Sequence, residues 1–260
     1  SQVVGGYANG EIRRWKIEDG QQQGPTMQAS HDGVDSVVVS QDGRRIVSGD
    51  RGRKAIVWNV TTHAKVRELE HRGWVHEVDV SSDCTKIASA DWYIVEIFNM
   101  TSGIRPLPTL PHPHVAGVKF SPDGSQFASA SESYGFRVYN TYNGDILFDS
   151  GQKGATGSWS RSALAWSSDG QQLFVANKGK IICFDLSKSF FSEWSIHENR
   201  SPVYIASNGR FIACATGSSI SLWDCVSHEQ ISGIISYTTE IKRIALSPSG
   251  VYLACGNGKN

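Results

Sequence analysis

Apolar and polar positions alternate in short runs along this chain, and one stretch shows the pattern in full. Residues 115–140 read VAGVKFSPDGSQFASASESYGFRVYN. Val115, Val118 and Phe120 mark a first strand, Phe127–Ala130 a second, and Phe136, Val138 and Tyr139 a third, as expected where one face of each strand is buried. The first two are joined by Ser121-Pro122-Asp123-Gly124. Proline presets φ, aspartate bonds its own backbone and glycine takes the positive φ, so this is a tight turn. No stretch sustains a 3.6-residue period, and essentially no helix is expected.

The same unit recurs. The turn glycine or its equivalent falls at Gly43, Cys84, Gly124, Gly170, Gly209 and Gly250, at intervals of 41, 40, 46, 39 and 41 residues. The aromatic residue closing the third strand falls at Trp15, Trp58, Phe98, Tyr139, Phe184 and Trp223, at intervals of 43, 40, 41, 45 and 39. Two independent markers sharing a period near 40 residues, with four short strands per unit, describe the blades of a radial β-propeller. Residues 1–17 hold a second and a third strand without a first, and residues 21–29 a weak outer strand. Residues 241–257 stop before a third. The whole chain, 1–260, is therefore expected to be a single all-β propeller domain of four-stranded antiparallel blades. Its 25 strands suggest a seven-bladed ring that is incomplete at its closure and a piece of a longer propeller. The alternative is a six-bladed ring in which residues 241–256 pair with the third and outer strands of the first unit, leaving residues 2–8 redundant.

Trp58-Asn59, Trp223-Asp224, Phe184-Asp185 and the Ser-Pro-Asp-Gly type of turn resemble the WD-repeat β-propeller family over nearly the whole chain, in five complete units and two partial ones. In that family a repeat histidine, a strand serine or threonine, a turn aspartate and the terminal tryptophan can form a buried hydrogen-bonded set. The resemblance makes His31, His71 and His112 candidates for the histidine. The turn aspartate is absent or displaced in most units, which shifts the expected burden onto apolar strand packing. Prolines 106, 108, 111 and 113 lie where an outer strand belongs, which tolerates them because an edge needs no ladder donor.

Composition narrows the function. Lys plus Arg is 25 and Asp plus Glu is 25, for a formal net charge of zero, without the basic excess of a general nucleic-acid binder. Arg44, Arg45, Arg51, Arg53, Lys54, Arg67 and Arg72 do cluster, but acidic residues interleave with them and the field largely cancels. No apolar run is long enough to span a membrane. The five cysteines, an odd number without CxxC spacing, read as unpaired small hydrophobes of an intracellular protein, cytoplasmic or nuclear. Three Asn-x-Ser/Thr sequons, at Asn59, Asn99 and Asn199, are most simply chance matches.

No GxSxG, HExxH or Walker glycine loop is present, and the acidic residues are spread along turns. No enzyme, cofactor or metal site is expected, His112 and His114 lacking a nearby third ligand. A catalytic or small-molecule propeller would need polar groups converging at the starts of the inner strands. Val34, Val75, Val115, Ser162, Val203 and Ile241 stand there instead, so a non-catalytic scaffold binding a protein partner is favoured over that alternative. In the resembled family, partners sit on the face formed by the loops entering the inner strands and those joining second to third strands. The matching positions give the candidate partner-binding residues Arg51, Trp74, Trp92, His114, Tyr134, Trp159 and Arg161, with Asp32, Arg53, His76, Tyr93 and Lys178 nearby. Trp and Arg are hot-spot residue types, and Trp159 lies in the loop that lengthens one repeat. Phe190, Phe191 and Trp194 form a second patch, expected to pack along an outer strand.

Overall fold

A computed structural model describes residues 1–156, 163–196 and 202–257. β1 (Gln2–Gly6), β2 (Glu11–Lys16) and β3 (Met27–Gln28) make a three-stranded antiparallel sheet. Four-stranded antiparallel sheets follow. The second blade holds β4 (Val34–Val39), β5 (Arg45–Asp50), β6 (Lys54–Asn59) and β7 (Lys65–Glu70). The third holds β8 (Glu77–Val80), β9 (Lys86–Ala90), β10 (Ile94–Asn99) and β11 (Leu110–Pro111). The fourth is β12 (Val115–Phe120), β13 (Gln126–Ser131), β14 (Gly135–Asn140) and β15 (Ile146–Asp149). The fifth is β16 (Leu164–Trp166), β17 (Gln172–Asn177), β18 (Lys180–Asp185) and β19 (Phe190–Ser195). The sixth is β20 (Val203–Ser207), β21 (Phe211–Thr216), β22 (Ser219–Asp224) and β23 (Ile235–Ser236), and the hairpin β24 (Ile241–Leu246) and β25 (Leu253–Asn257) comes last. Strand neighbours follow chain order in every sheet, as a meander requires. A single 3-10 turn, Gly151–Gly154, is the only helical element among the described residues.

The seven-bladed expectation is not supported: six sheets reach blade size, the count of the six-bladed alternative. The error came from scoring every marker-bearing unit as a blade, whereas β24 and β25 form a two-stranded sheet packed on the sixth blade through Ile241, Ile244 and Tyr204. Residues 2–6 are not redundant either, because β1 pairs with β2 along its whole length.

The second to sixth blades are held by the residues the repeat pattern marks. Trp58, Phe98, Tyr139, Phe184 and Trp223 are buried, as are Val118, Leu164 and Ile244 on the inner strands. The turn from first to second strand repeats a Ser-x-Asp device. The hydroxyls of Ser40, Ser81, Ser121 and Ser167 donate to Asp42, Asp83, Asp123 and Asp169, and each accepts the backbone N–H five residues on. The fourth position takes positive φ throughout, including Cys84 at 59°.

Hydrogen-bond stapling is more extensive than the degenerate motifs suggest. His71 Nε2 lies 2.9 Å from Ser89 Oγ, and His112 Nδ1 2.5 Å from Ser129 Oγ, which also reaches Tyr139. Trp58 Nε1 donates to Ser48 Oγ at 2.9 Å. Asp50 and Asp91 do cap their second-to-third turns, with Ser131 replacing them in the fourth blade. His31 is exposed and joins no such set among the described residues.

Candidate functional site

The inner strands close the centre of the propeller with polar side chains that link one blade to the next. Ser36 Oγ on β4 accepts from Val78 N on β8 at 3.2 Å and donates to Glu77 at 3.0 Å. Asp79 on β8 accepts from Phe120 N at 2.8 Å and from Lys119 Nζ at 2.6 Å, both on β12. Trp166 Nε1 on β16 donates to the Lys119 carbonyl, and Ser207 Oγ on β20 donates to the Trp166 carbonyl. Arg243 on β24 reaches back to the Asp35 carbonyl on β4 at 2.8 Å, and its guanidinium lies 5.9 Å from the centroid of the Tyr204 ring.

The centre is thus more polar than the first residue of each inner strand implies, because the carboxylates stand one to four positions later. Desolvation pushes the Glu77 carboxyl above its usual range against the pull of Arg243, Ser36 and Lys119. For Lys119 desolvation acts downward, but Asp79 by charge and hydrogen bond, with Glu77, outweighs it and the net shift is upward. These groups are spent on ties between blades. That is a structural use.

One face carries a different arrangement. Arg51, Trp92 and Tyr134 follow the second strands of their blades, whereas Trp74 and His114 precede inner strands. Local hydrogen bonds aim them. Asp91 Oδ1 accepts from Tyr93 N at 2.8 Å and Ile94 N at 3.0 Å, fixing the turn that holds Trp92. Ser131 Oγ accepts from Tyr134 N at 3.1 Å and donates to the Pro113 carbonyl at 2.6 Å. Backbone bonds then tie neighbouring blades: His114 N to the Trp92 carbonyl at 2.6 Å, and Glu132 N to the His114 carbonyl at 3.0 Å.

The outcome is one continuous ladder of rings. The Arg51 guanidinium lies 5.7 Å from the centroid of the Trp74 ring. From there Trp74 meets His76 at 6.3 Å, His76 meets Trp92 at 5.9 Å, Trp92 meets His114 at 5.2 Å and His114 meets Tyr134 at 5.7 Å, all between centroids. Trp74 is 52% exposed, Tyr93, next to Trp92 in the chain, 63% and Tyr134 44%. Beneath the ladder, Asp35 pairs with Arg51 at 3.2 Å and lies 3.3 Å from His76 Nδ1.

Five of the seven residues singled out from the sequence therefore come together, with His76 completing the chain. The other two, Trp159 and Arg161, lie outside the described residues. Arg53 and Asp32 lie in loops of the same face and take no part in the ladder. Sequence reasoning missed Glu132, whose partly buried carboxyl is raised by desolvation against the charges of His114, His76 and Lys178. Its signal was an acid two residues before Tyr134 in the same turn. Phe191 and Trp194 pack on the outer strand as expected, against Phe136, Phe148 and Phe174, while Phe190 is exposed.

Comparison with known proteins agrees with this architecture. Residues 23–59 and 104–140 match the family model described as WD domain, G-beta repeat. Over 106 residues, 39% of the chain, the sequence is 31% identical to apoptotic protease-activating factor 1 of Rattus norvegicus and 30% identical to that of Mus musculus. Those matches cover 8% of the length of either relative. Among solved structures, a chain of a mitotic checkpoint complex superposes with a TM-score of 0.84 at 17% identity, covering 99% of this chain and 81% of that one. The β-propeller domain of Cps50 (Swd1) from Myceliophteria thermophila gives 0.80 at 16% identity, covering 99% and 90%. At such identities the likeness is one of fold.

Proposed function

This chain is a WD-repeat β-propeller, and we propose that it is a non-catalytic scaffold that holds a protein partner on the face carrying the Arg51–Tyr134 ladder. Propellers of this family generally serve as platforms for protein interactions. The observation that carries the assignment is the ladder itself. Large rings rich in hot-spot types stand in a row over three blades, with Trp74 and Tyr134 exposed at its ends and Trp92 and His114 half-buried between them. The turns that carry them are fixed by hydrogen bonds, so little ordering entropy is lost when a partner covers them. Arg51, Trp74, Trp92, His114 and Tyr134 are the contact residues, with Trp159 and Arg161 assigned to the same face by their place in the repeat. Interleaved charge over the second and third blades argues for a protein partner over nucleic acid.

The test is capture of partner from a native extract by the wild type and by a Trp74→Ala/Tyr134→Ala double variant. Both side chains are exposed, so the variant should unfold at the same urea midpoint while losing most of the captured protein. Equal capture by both would refute the assignment.

A further inference from the structure

We infer that Pro108 and Pro111, with Arg105 before them, form a second docking surface on the outer strand of the third blade, for a partner domain whose groove is lined by aromatic side chains. Residues 105–111 read Arg-Pro-Leu-Pro-Thr-Leu-Pro, and the ladder of strands explains little of this. β11 is two residues long and takes in Pro111 alone, where an edge tolerates a missing donor. An edge that short does not recruit another strand and needs no proline ahead of it. Sister outer strands are protected without one: β7 carries Lys65, Arg67, Glu68 and Glu70, and β3 and β23 are two residues long. Pro106 and Pro108 lie outside the strand altogether.

From Leu107 to Pro111 burial repeats at every third residue. Leu107 is buried and Leu110 half-buried against the same core cluster, which holds Val115, Phe127 and Tyr139. Pro108, Thr109 and Pro111 are exposed. Three residues per turn is the period of an extended polyproline segment, whose rise of about 3.1 Å per residue sets rings at i and i+3 about 9 Å apart on one side. The leucine ridge pins the segment to the blade and turns the proline ridge outward. Such a segment is stiff before it is bound, so docking orders little more of it, and proline ridges seat in grooves lined by aromatic side chains. Arg105 stands at one end of the row, beyond a bend at Pro106-Leu107. Its guanidinium donates to Glu96 on β10 while half of the side chain stays exposed, a cation that suits an acid flanking the groove. None of the ladder residues takes part.

An immobilised panel of purified SH3 and WW domains, whose grooves take segments of this kind, tests this with the full chain in solution. At least one domain should retain the chain saturably, and Pro108→Ala/Pro111→Ala should cut that retention about tenfold at an unchanged unfolding midpoint. Should that variant unfold more easily, competition is read instead. Residues 103–114 as a free peptide should displace the chain, and the same peptide with Leu107→Gln/Leu110→Gln should displace it equally well, because the fold keeps the leucine ridge for itself. Failure of every domain to retain the chain, retention that survives loss of both prolines, or a peptide that fails without its leucines would overturn the inference. Trp74→Ala/Tyr134→Ala should be retained like the wild type. Loss of retention there would overturn the placement on the outer strand and leave the assignment of the ladder face standing.

Discussion

At the scale of single residues, the buried histidines show how chemistry hidden in the repeat becomes a property of the fold. His112 is fully buried beside Ser129, and burial, aided by the charge of Arg137, holds its pKa down to about 4. The unfolded chain, with an ordinary histidine near 6.5, takes up the proton first. The contribution of neutral His112 to stability is therefore complete above about pH 6.5 and is lost as pH falls towards 4, to the extent of about 3 kcal/mol. His112→Gln should lower stability at pH 7.5, yet lose less than the wild type between pH 7.5 and pH 4.5 in urea titrations; parallel losses would contradict it. Cys84 is a second case. It holds a positive φ of 59° where four of the sister turns have glycine at 68–74°. A left-handed non-glycine residue costs about 1–2 kcal/mol, and glycine returns part of that as chain entropy. Cys84→Gly should stabilise by up to about 1 kcal/mol, read as a higher urea midpoint at unchanged slope. The interval pattern made Cys84 legible as a turn residue. By contrast, no local signal distinguished His112, which bonds a strand serine, from His31, which stays in solvent.

At the scale of elements, nearly every strand was legible, because alternation and the turn chemistry specify both its ends. What the alternation could not convey is which inner-strand residue faces the neighbouring blade. The starts of those strands are apolar, whereas Asp79, Ser36 and Ser207 further along make the ties. Asp79 is the most exacting of them, since it satisfies the Phe120 N–H of the next blade and Lys119 together. Lys119 is 44% exposed, so its share is screened and small. The orphaned N–H dominates, and Asp79→Ala should cost about 2 kcal/mol. Asp79→Asn keeps an acceptor and should cost about half as much. Equal effects in chemical denaturation would mean that the ion pair outweighs the backbone bond.

At the scale of the whole molecule, the period near 40 residues specified a propeller but not its blade count, because a unit's markers lie in its first three strands and do not require a fourth. The ring order also explains the ladder. Residues 83 positions apart, from Arg51 to Tyr134, become neighbours in a row only because consecutive blades turn the same loops to one side. That this side is the working face is tested most directly by photo-crosslinking. A benzophenone side chain replaces Tyr93 beside the ladder in one variant and Tyr142, 74% exposed in the turn between β14 and β15, in another. With the captured partner present, the substitution at position 93 should yield the crosslinked adduct and that at position 142 should not. Adducts formed at position 142 and absent at 93 would place the partner on the opposite face.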